Sequence, residues 1–261
     1  MDYGLNGQTV IVTGGASGVG RAISLKFADE GSHVTIFDLD EKGGNQAVSE
    51  MEAGGSKARL VKVDVTKASE VDAAVKQVIA EDGRIDVLVN NAGLVAYQGP
   101  WHLLPESDFE HVVNVNFKGQ YLVGKAVANQ MIKQKSGTII NTASIAALVG
   151  EPNNGVYSCT KAATINMTQS MAGELGQYGI RVNAVDPAAM PTGLMEKVYE
   201  ERAEHFGLTP EAFREKVRRG FVLPGELTCE DAANVYLFLA SNQSRMMTGE
   251  HINISGGVLM F

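Results

Sequence analysis

Cysteine is scarce in this chain. Cys159 and Cys229 are its only two, and no CxxC pair occurs, so neither a disulfide framework nor a zinc knuckle is indicated. Basic residues are outnumbered: 22 Lys and Arg against 30 Asp and Glu leave a formal charge of −8. That balance argues against non-specific nucleic-acid binding, which needs a positive surface. Apolar runs are short, none approaching the ~20 residues of a membrane span. The start, "MDYGLNGQTVIVTGG", lacks a charged segment followed by a long apolar one. The expectation is a cytoplasmic protein that works neither on nucleic acid nor in a membrane. The five histidines, at 33, 102, 111, 205 and 251, are dispersed, with no HExxH and no carboxylate–histidine cluster, so no metal site is expected. No Pro/Ser linker and no internal repeat divides the chain.

What is present is ordinary globular material, 44% hydrophobic and 20% charged. It alternates between two periods. Short β-branched runs, "QTVIVTG", "HVTIFDLD", "ARLVKVDVT", "IDVLVNNAG", "GTIINTAS", "IRVNAVDP" and "EHINISGG", read as strands. Between them lie helical stretches, including one long helix over 108–134 and a charged helical insertion over 194–220. This alternation predicts βαβ units: one α/β domain over 1–261, a doubly wound parallel sheet with helices on both faces.

"TGGASGVG", residues 13–20, falls where the first strand turns into the first helix. Backbone N–H groups at a helix N-terminus bind pyrophosphate, and Gly14, Gly18 and Gly20 would let the backbone approach it. The spacing is GxxxGxG rather than GxGxxG, and no GK[ST] follows, which disfavours an ATPase. Asp38 ends the second strand, 18 residues after Gly20. A carboxylate there accepts hydrogen bonds from a ribose diol and repels a 2′-phosphate. Ala16 and Ser17 stand where a basic residue would favour NADP. Both features point to NAD; the competing reading of Asp38 is a cap for the next helix.

Together with the "NNAG" of 90–93, Ser144, the YxxxK of 157–161 and the "DPAAMPT" of 186–192, the glycine loop resembles the short-chain dehydrogenase/reductase family, in its single-domain branch. The resemblance runs in order along essentially the whole chain. It implies a Rossmann-type fold and a cofactor site of Gly14, Ser17, Gly18, Val19 and Gly20, with Asp38 and Leu39 beside the adenosine ribose. Asp64 and Val65 match the pair that holds adenine, and Asn91, Ala92 and Gly93 the segment under the cofactor. Pro187, Met190 and Thr192 match the stretch that positions the carboxamide, and Lys161 a ligand of the nicotinamide ribose. The family usually has glycine at Ala188, whose methyl would narrow that space, and an acidic residue at Ser255, a departure of local consequence.

The chemistry expected of the pair at 157 and 161 can be argued from the residues themselves. Tyr157 and Lys161 lie one helical turn apart on one face. A nearby ammonium favours phenolate and is expected to lower the tyrosine pKa toward a usable general acid/base. Ser144, 13 residues earlier, can hydrogen-bond the substrate oxygen. The resemblance adds Asn116, of "NVNFKG", holding a water that relays protons toward Lys161. Expected pocket walls are Leu94, Val95, Ile145, Ala146, Asn154, Ala188, Met190, Leu194 and Met195, with Glu151 and Asn154 placed to read the substrate. Phe213, Val217 and Phe221 recur every four residues, and by resemblance the segment over about 190–222 lids the cleft. An anionic substrate is disfavoured unless that segment supplies Arg202, Arg214 or Arg218.

These features predict an NAD-dependent oxidoreductase interconverting a secondary alcohol and a ketone, the alcohol being a polyol or sugar, a hydroxysteroid or similar. The alternatives are an NADPH-dependent 3-oxoacyl reductase and a catalytically idle dinucleotide-binding scaffold or sensor. The family commonly forms tetramers, so a homotetramer or dimer is expected through the helices around 106–134 and 156–176, with the tail "VLMF" near a contact or a pocket.

Overall fold

Seven short β-branched runs separated by helices can bury their apolar residues only as a covered parallel sheet, and the computed structural model shows one. It describes residues 3–95 and 98–260. The order is β1 (Thr9–Thr13), α1 (Gly18–Asp29), β2 (His33–Asp38), α2 (Glu41–Ala53), β3 (Ala58–Lys62), α3 (Ala68–Asp82), β4 (Val87–Asn90), α4 (Glu106–Val113), α5 (Gln120–Gln134), β5 (Gly137–Thr142), α6 (Gly155–Leu175), β6 (Ile180–Pro187), α7 (Gly193–His205), α8 (Pro210–Arg218), α9 (Cys229–Ala240) and β7 (His251–Ile254). The strands pair in parallel in the order β3-β2-β1-β4-β5-β6-β7. This is the Rossmann-type single domain expected, with its topological switch between β1 and β4.

Alternation along the strands divides the core into two layers. Val10 and Val12 of β1 join α1, α2 and α9 through Ile23, Phe27, Met51 and Tyr236. Ile11 points the other way, toward α3, α5 and α6, with Val75, Val127 and Ala172. The segment α7–α8 stands apart on a small core of Tyr199, Ala203 and Phe213.

Several expected elements differ from the structure, β4 for one covering only Val87–Asn90. β3 ends at Lys62 rather than running to Thr66, because it is the sheet's edge strand and Val63–Val65 turn away toward the crevice. The long helix over 108–134 is divided by a π turn at Asn114–Gly119. Gly119 lies there against Val65, and a Cβ on it would sit 2.8 Å from Val65 Cγ2.

Arg181 of β6 ties the sheet to the end of α9. Its guanidinium donates to Leu239 O at 2.8 Å, Ser241 O at 3.3 Å and Thr138 Oγ1 at 3.0 Å. These carbonyls include ones a helix leaves unpaired at its C-terminus, where a cation is also favoured by the helix dipole. Arg181→Met should destabilise the chain by about 1–3 kcal/mol, since it removes the charged donor these acceptors share. Urea unfolding at constant m-value measures the loss, and a change below about 1 kcal/mol would contradict it.

Candidate active site

The crevice at the switch point opens into a cleft of about 990 Å3. Its outer end is the glycine loop. Gly14 and Gly18 take positive φ values of 65° and 53°. Gly20 is required by close approach, since a Cβ would fall 2.0 Å from Gly14 O. Ser17 N-caps α1 without a side-chain hydrogen bond onto the helix, and no acidic residue occupies the first turn. Such a helix start suits an anion. Asn91 secures the loop from β4 by donating to Thr13 O at 3.1 Å and Gly14 O at 3.3 Å.

Asp38 closes this end. Its carboxylate accepts from Ala16 N and Asp40 N, each at 3.0 Å. It does not cap α2: Asp40 does that, accepting from Gly43 N. Asp38, Leu39, Asp64 and Val65 all line the cleft. Asp64 is held below the usual carboxylate range chiefly by its bond from the Thr66 hydroxyl. A backbone cradle without Cβ atoms, an open helix N-terminus and an acidic terminus fit a nicotinamide dinucleotide.

At the inner end, the C-terminus of β5 presents Ser144 and α6 presents Tyr157 and Lys161, all lining the cleft. The Ser144 hydroxyl accepts from Ala146 N at 3.1 Å and donates to Pro187 O at 3.4 Å. Lys161 is buried, donates to Thr142 O at 2.7 Å, and has its Nζ 5.6 Å from the centre of the Tyr157 ring. The Thr142 hydroxyl in turn meets Tyr236 Oη at 2.8 Å. Every other residue expected to touch cofactor or substrate lines the cleft as well, Gly93, Ala146, Glu151, Asn154, Met190 and Thr192 among them. Ala188 sits unstrained, since only Lys135 and Asn153 among described non-glycine residues have positive φ, and its N–H bonds Ile254 O. Ser255 turns inward to bond Leu259 O at 3.1 Å, a local role as expected. Of the tail, Val258 reaches the cleft, Met260 is exposed, and Phe261 lies outside the described residues.

Asn116 is fully buried behind the cleft wall. Its side chain accepts from Leu94 N and donates to Leu94 O, each at 2.8 Å, and donates to Thr160 Oγ1 at 3.4 Å, so it ties the strand-end loop to α6. The direction expected for Tyr157 is reversed. Burial pushes its phenol up, the Ser144 hydrogen bond pulling it partly back, with Glu151 raising and Arg202 lowering it slightly. Lys161 is no fully exposed ammonium that could offset this: burial pushes it down to about 8, against a smaller upward pull from Asp186.

A carboxylate–histidine pair is present after all. Asp186, wholly buried, meets His251 Nδ1 at 2.6 Å across the β6–β7 pairing. Burial raises this carboxyl, His251 and Lys161 acting in the opposite sense. The two residues are 65 apart in sequence, so only strand neighbours reveal them.

Over the substrate end, α8 contributes Phe213 and Val217 to the cleft wall, and the turn after it Phe221. All nine apolar and amide wall residues anticipated from sequence are there. The segment also supplies Arg202, but with its charge already paired. Arg202 donates to Glu151 Oε2 at 3.0 Å and Gln98 Oε1 at 2.7 Å. Gln98 donates to Asn154 Oδ1 at 3.0 Å, and Asn154 to Glu151 at 2.8 Å, closing a ring of four side chains. Arg214 and Arg218 instead pair with Glu196 and Glu215 on the exposed side. Gln98 carries no signal in the sequence, being a lone amide in a loop.

Comparison with known proteins agrees with this geometry. Residues 8–203 match the family model described as short chain dehydrogenase. A 3-oxoacyl-(acyl-carrier-protein) reductase of Thermotoga maritima is 37% identical over 98% of this chain and 99% of its own. Among solved structures, NAD+-bound xylitol dehydrogenase superposes with a TM-score of 0.93 at 34% identity, covering 97% of this chain and 99% of that one. A 7α-hydroxysteroid dehydrogenase complexed with NADH and 7-oxo glycochenodeoxycholic acid gives 0.89 at 30%, covering 97% and 94%. The chain belongs to the short-chain dehydrogenase/reductase family and is an oxidoreductase of that fold.

Burial of Lys161 has a measurable consequence. Its ordinary value of 10.5 falls to about 8, so holding it charged at neutral pH costs on the order of 3 kcal/mol. Lys161→Met removes that charge, and Thr142 O keeps a donor in Gln120 Nε2 at 3.2 Å. The variant should be more stable than the parent by about 1–3 kcal/mol at pH 7. Between pH about 8 and 10.5 the unfolded parent holds more protons than the folded one, so parental stability rises with pH and the gap closes. Urea titrations at pH 7 and pH 10 test this; a variant less stable at pH 7, or a constant gap, contradicts it.

Proposed function

We propose that this chain is an NAD-dependent alcohol dehydrogenase/ketone reductase acting on a secondary alcohol. The observation that carries the reading is one cleft with Ser144, Tyr157 and Lys161 at its inner end and the Asp38 carboxylate, with no cation beside it in the glycine loop, at its outer end. A bound nicotinamide dinucleotide supplies the hydride acceptor or donor. The glycine loop and the start of α1 would hold its pyrophosphate, Asp38 its adenosine ribose, and Lys161 its second ribose.

The residues of the chain do the remaining work. Ser144 orients the substrate oxygen and donates to it as negative charge develops. In reduction, Tyr157 delivers its phenolic proton to that oxygen; in oxidation, its phenolate takes the carbinol proton as the C–H hydrogen leaves with both electrons. Lys161 stabilises the phenolate, and Asn116 keeps Leu94 and the adjoining cleft wall in register with it. The segment over about 190–222 acts as a lid that excludes water. Similarity to xylitol and hydroxysteroid dehydrogenases supports an alcohol as substrate. The second reading, an NADPH-dependent 3-oxoacyl reductase, draws on the 37% identical relative, and Asp38 weighs against it.

A panel of secondary alcohols and ketones with NAD and NADP tests the reading. Turnover should favour NAD, and Tyr157→Phe should reduce kcat by at least about 100-fold. Because the phenol is pushed up, alcohol oxidation should accelerate as pH rises above neutrality while ketone reduction does not. Preference for NADP, or a Tyr157→Phe variant near full activity, contradicts the proposal.

We further infer self-association into a homotetramer or dimer through α4–α6. Phe109 and Tyr121 stand exposed on this face, at 42% and 47%. Light scattering should give two or four times the 27.8 kDa of one chain; a monomer at micromolar concentration contradicts it.

A further inference from the structure

Behind the ring of Gln98, Glu151, Asn154 and Arg202 lies a second cavity of about 440 Å3. It is largely apolar. Phe206 and Phe213 stack at 5.5 Å to form one wall, Pro152 and Val258 form others, and the Lys216 ammonium sits 4.1 Å over the Phe206 ring. A cavity of about 150 Å3 lined by aliphatic and aromatic groups already accommodates benzene, so this one has room for an alkyl chain or an aryl group. Glu151, Arg202, Phe213, Val217 and Val258 face both this cavity and the catalytic cleft. They are the partition between the two, and its polar part is the Glu151–Arg202 bridge.

The bridge has the properties of a gate. Glu151 and Arg202 come from opposite sides, the turn before α6 and the lid helix α7, so separating them needs only movement of the lid. Both side chains are partly exposed, at 30% and 24%, so each can return to water when the bridge opens. While closed, the ring is neutral overall, one cation against one anion, and gives a free carboxylate no unpaired charge to bind. What lies beyond offers an incoming group apolar surface.

We propose that this cavity is a second substrate compartment that takes an uncharged alkyl or aryl arm attached to the reacting carbinol, and that the Glu151–Arg202 bridge is its gate. The inference rests on the alcohol/ketone reading above and narrows it from secondary alcohols in general to those with a long apolar arm. In this arrangement the carbinol lies at Ser144 and Tyr157, and the arm passes between Glu151 and Arg202.

Equilibrium binding of 2-butanone and 2-decanone to the full chain, with NAD+ present so that no ketone is reduced, separates the two questions. The parent should bind the longer ketone at least about tenfold more tightly, well below what six fully buried methylenes can supply. Pro152→Trp, which plugs a wall that faces only the second cavity, should reduce this ratio by at least about fivefold; Lys216→Trp is a second plug should the first fail to fold. Glu151→Gln, which weakens the gate, should raise the ratio. A ratio unaltered by both plugs overturns the compartment, and a ratio unaltered or lowered in Glu151→Gln overturns the gate. Should binding behave as expected while neither ketone is turned over with NADH, the compartment stands and the catalytic reading fails for this substrate class.

Discussion

The hydrogen bond from the Lys161 ammonium to the Thr142 carbonyl is the contact around which the site is organised. A buried cation is tolerated only where fixed dipoles replace water. Here they come from the end of β5, and that strand end is itself braced. Gln120 donates to Asn90 O and Thr142 O, Thr164 donates to Gln120, and Asn90 and Asn141 join β4, β5 and α6. Among the described residues no carboxylate bonds Lys161 directly, and Asp186 acts only through space. A full ion pair would restore the lysine to an ordinary pKa and fix its charge; neutral amides and a distant, half-compensated carboxyl leave it close to physiological pH.

The two ends of the cleft use opposite electrostatic devices. The outer end relies on geometry that only glycine allows, with backbone dipoles converging and the Asp38 carboxylate bonded to the loop backbone. The inner end relies on withdrawal from water, which raises the Tyr157 phenol and lowers Lys161 to about 8, so the lysine becomes the group that gives up its proton first, the reverse of the order in free side chains. Both shifts arise from burial of the two groups rather than from one ammonium acting on an exposed phenol.

Much of this was legible in the sequence where the determinants are local. The β-branched runs of β1, β5 and β6 and the glycines of the first turn act through their own backbone, and Tyr157 and Lys161 meet because a helix brings i and i+4 together. Legibility fails where partners are joined by topology. Asp186 and His251 meet because β6 and β7 happen to be neighbours, and Gln98, Glu151 and Arg202 because α7 folds back over a loop. The side-chain bonds of Asn116 escape for a related reason: the π turn aims its amide at the Leu94 backbone, which no local pattern shows. Local pattern likewise overestimated β3, whose end is decided by its place at the sheet edge.

The π turn at Asn114–Gly119 also sets a phase relation within the long helix. An α-helix advances about 100° per residue, and the wider turn carries one residue more than its neighbours would. The N-terminal half is thereby indexed to Leu94 through Asn116, while α5 is indexed to the sheet through Val123, Val127 and Met131. Loss of one residue here would yield a more regular helix yet rotate one half by more than a quarter turn against its partner. Surface loops can absorb length changes because nothing downstream counts their residues; this stretch behaves as a gear with a fixed number of teeth, its length dictated by angle rather than by reach.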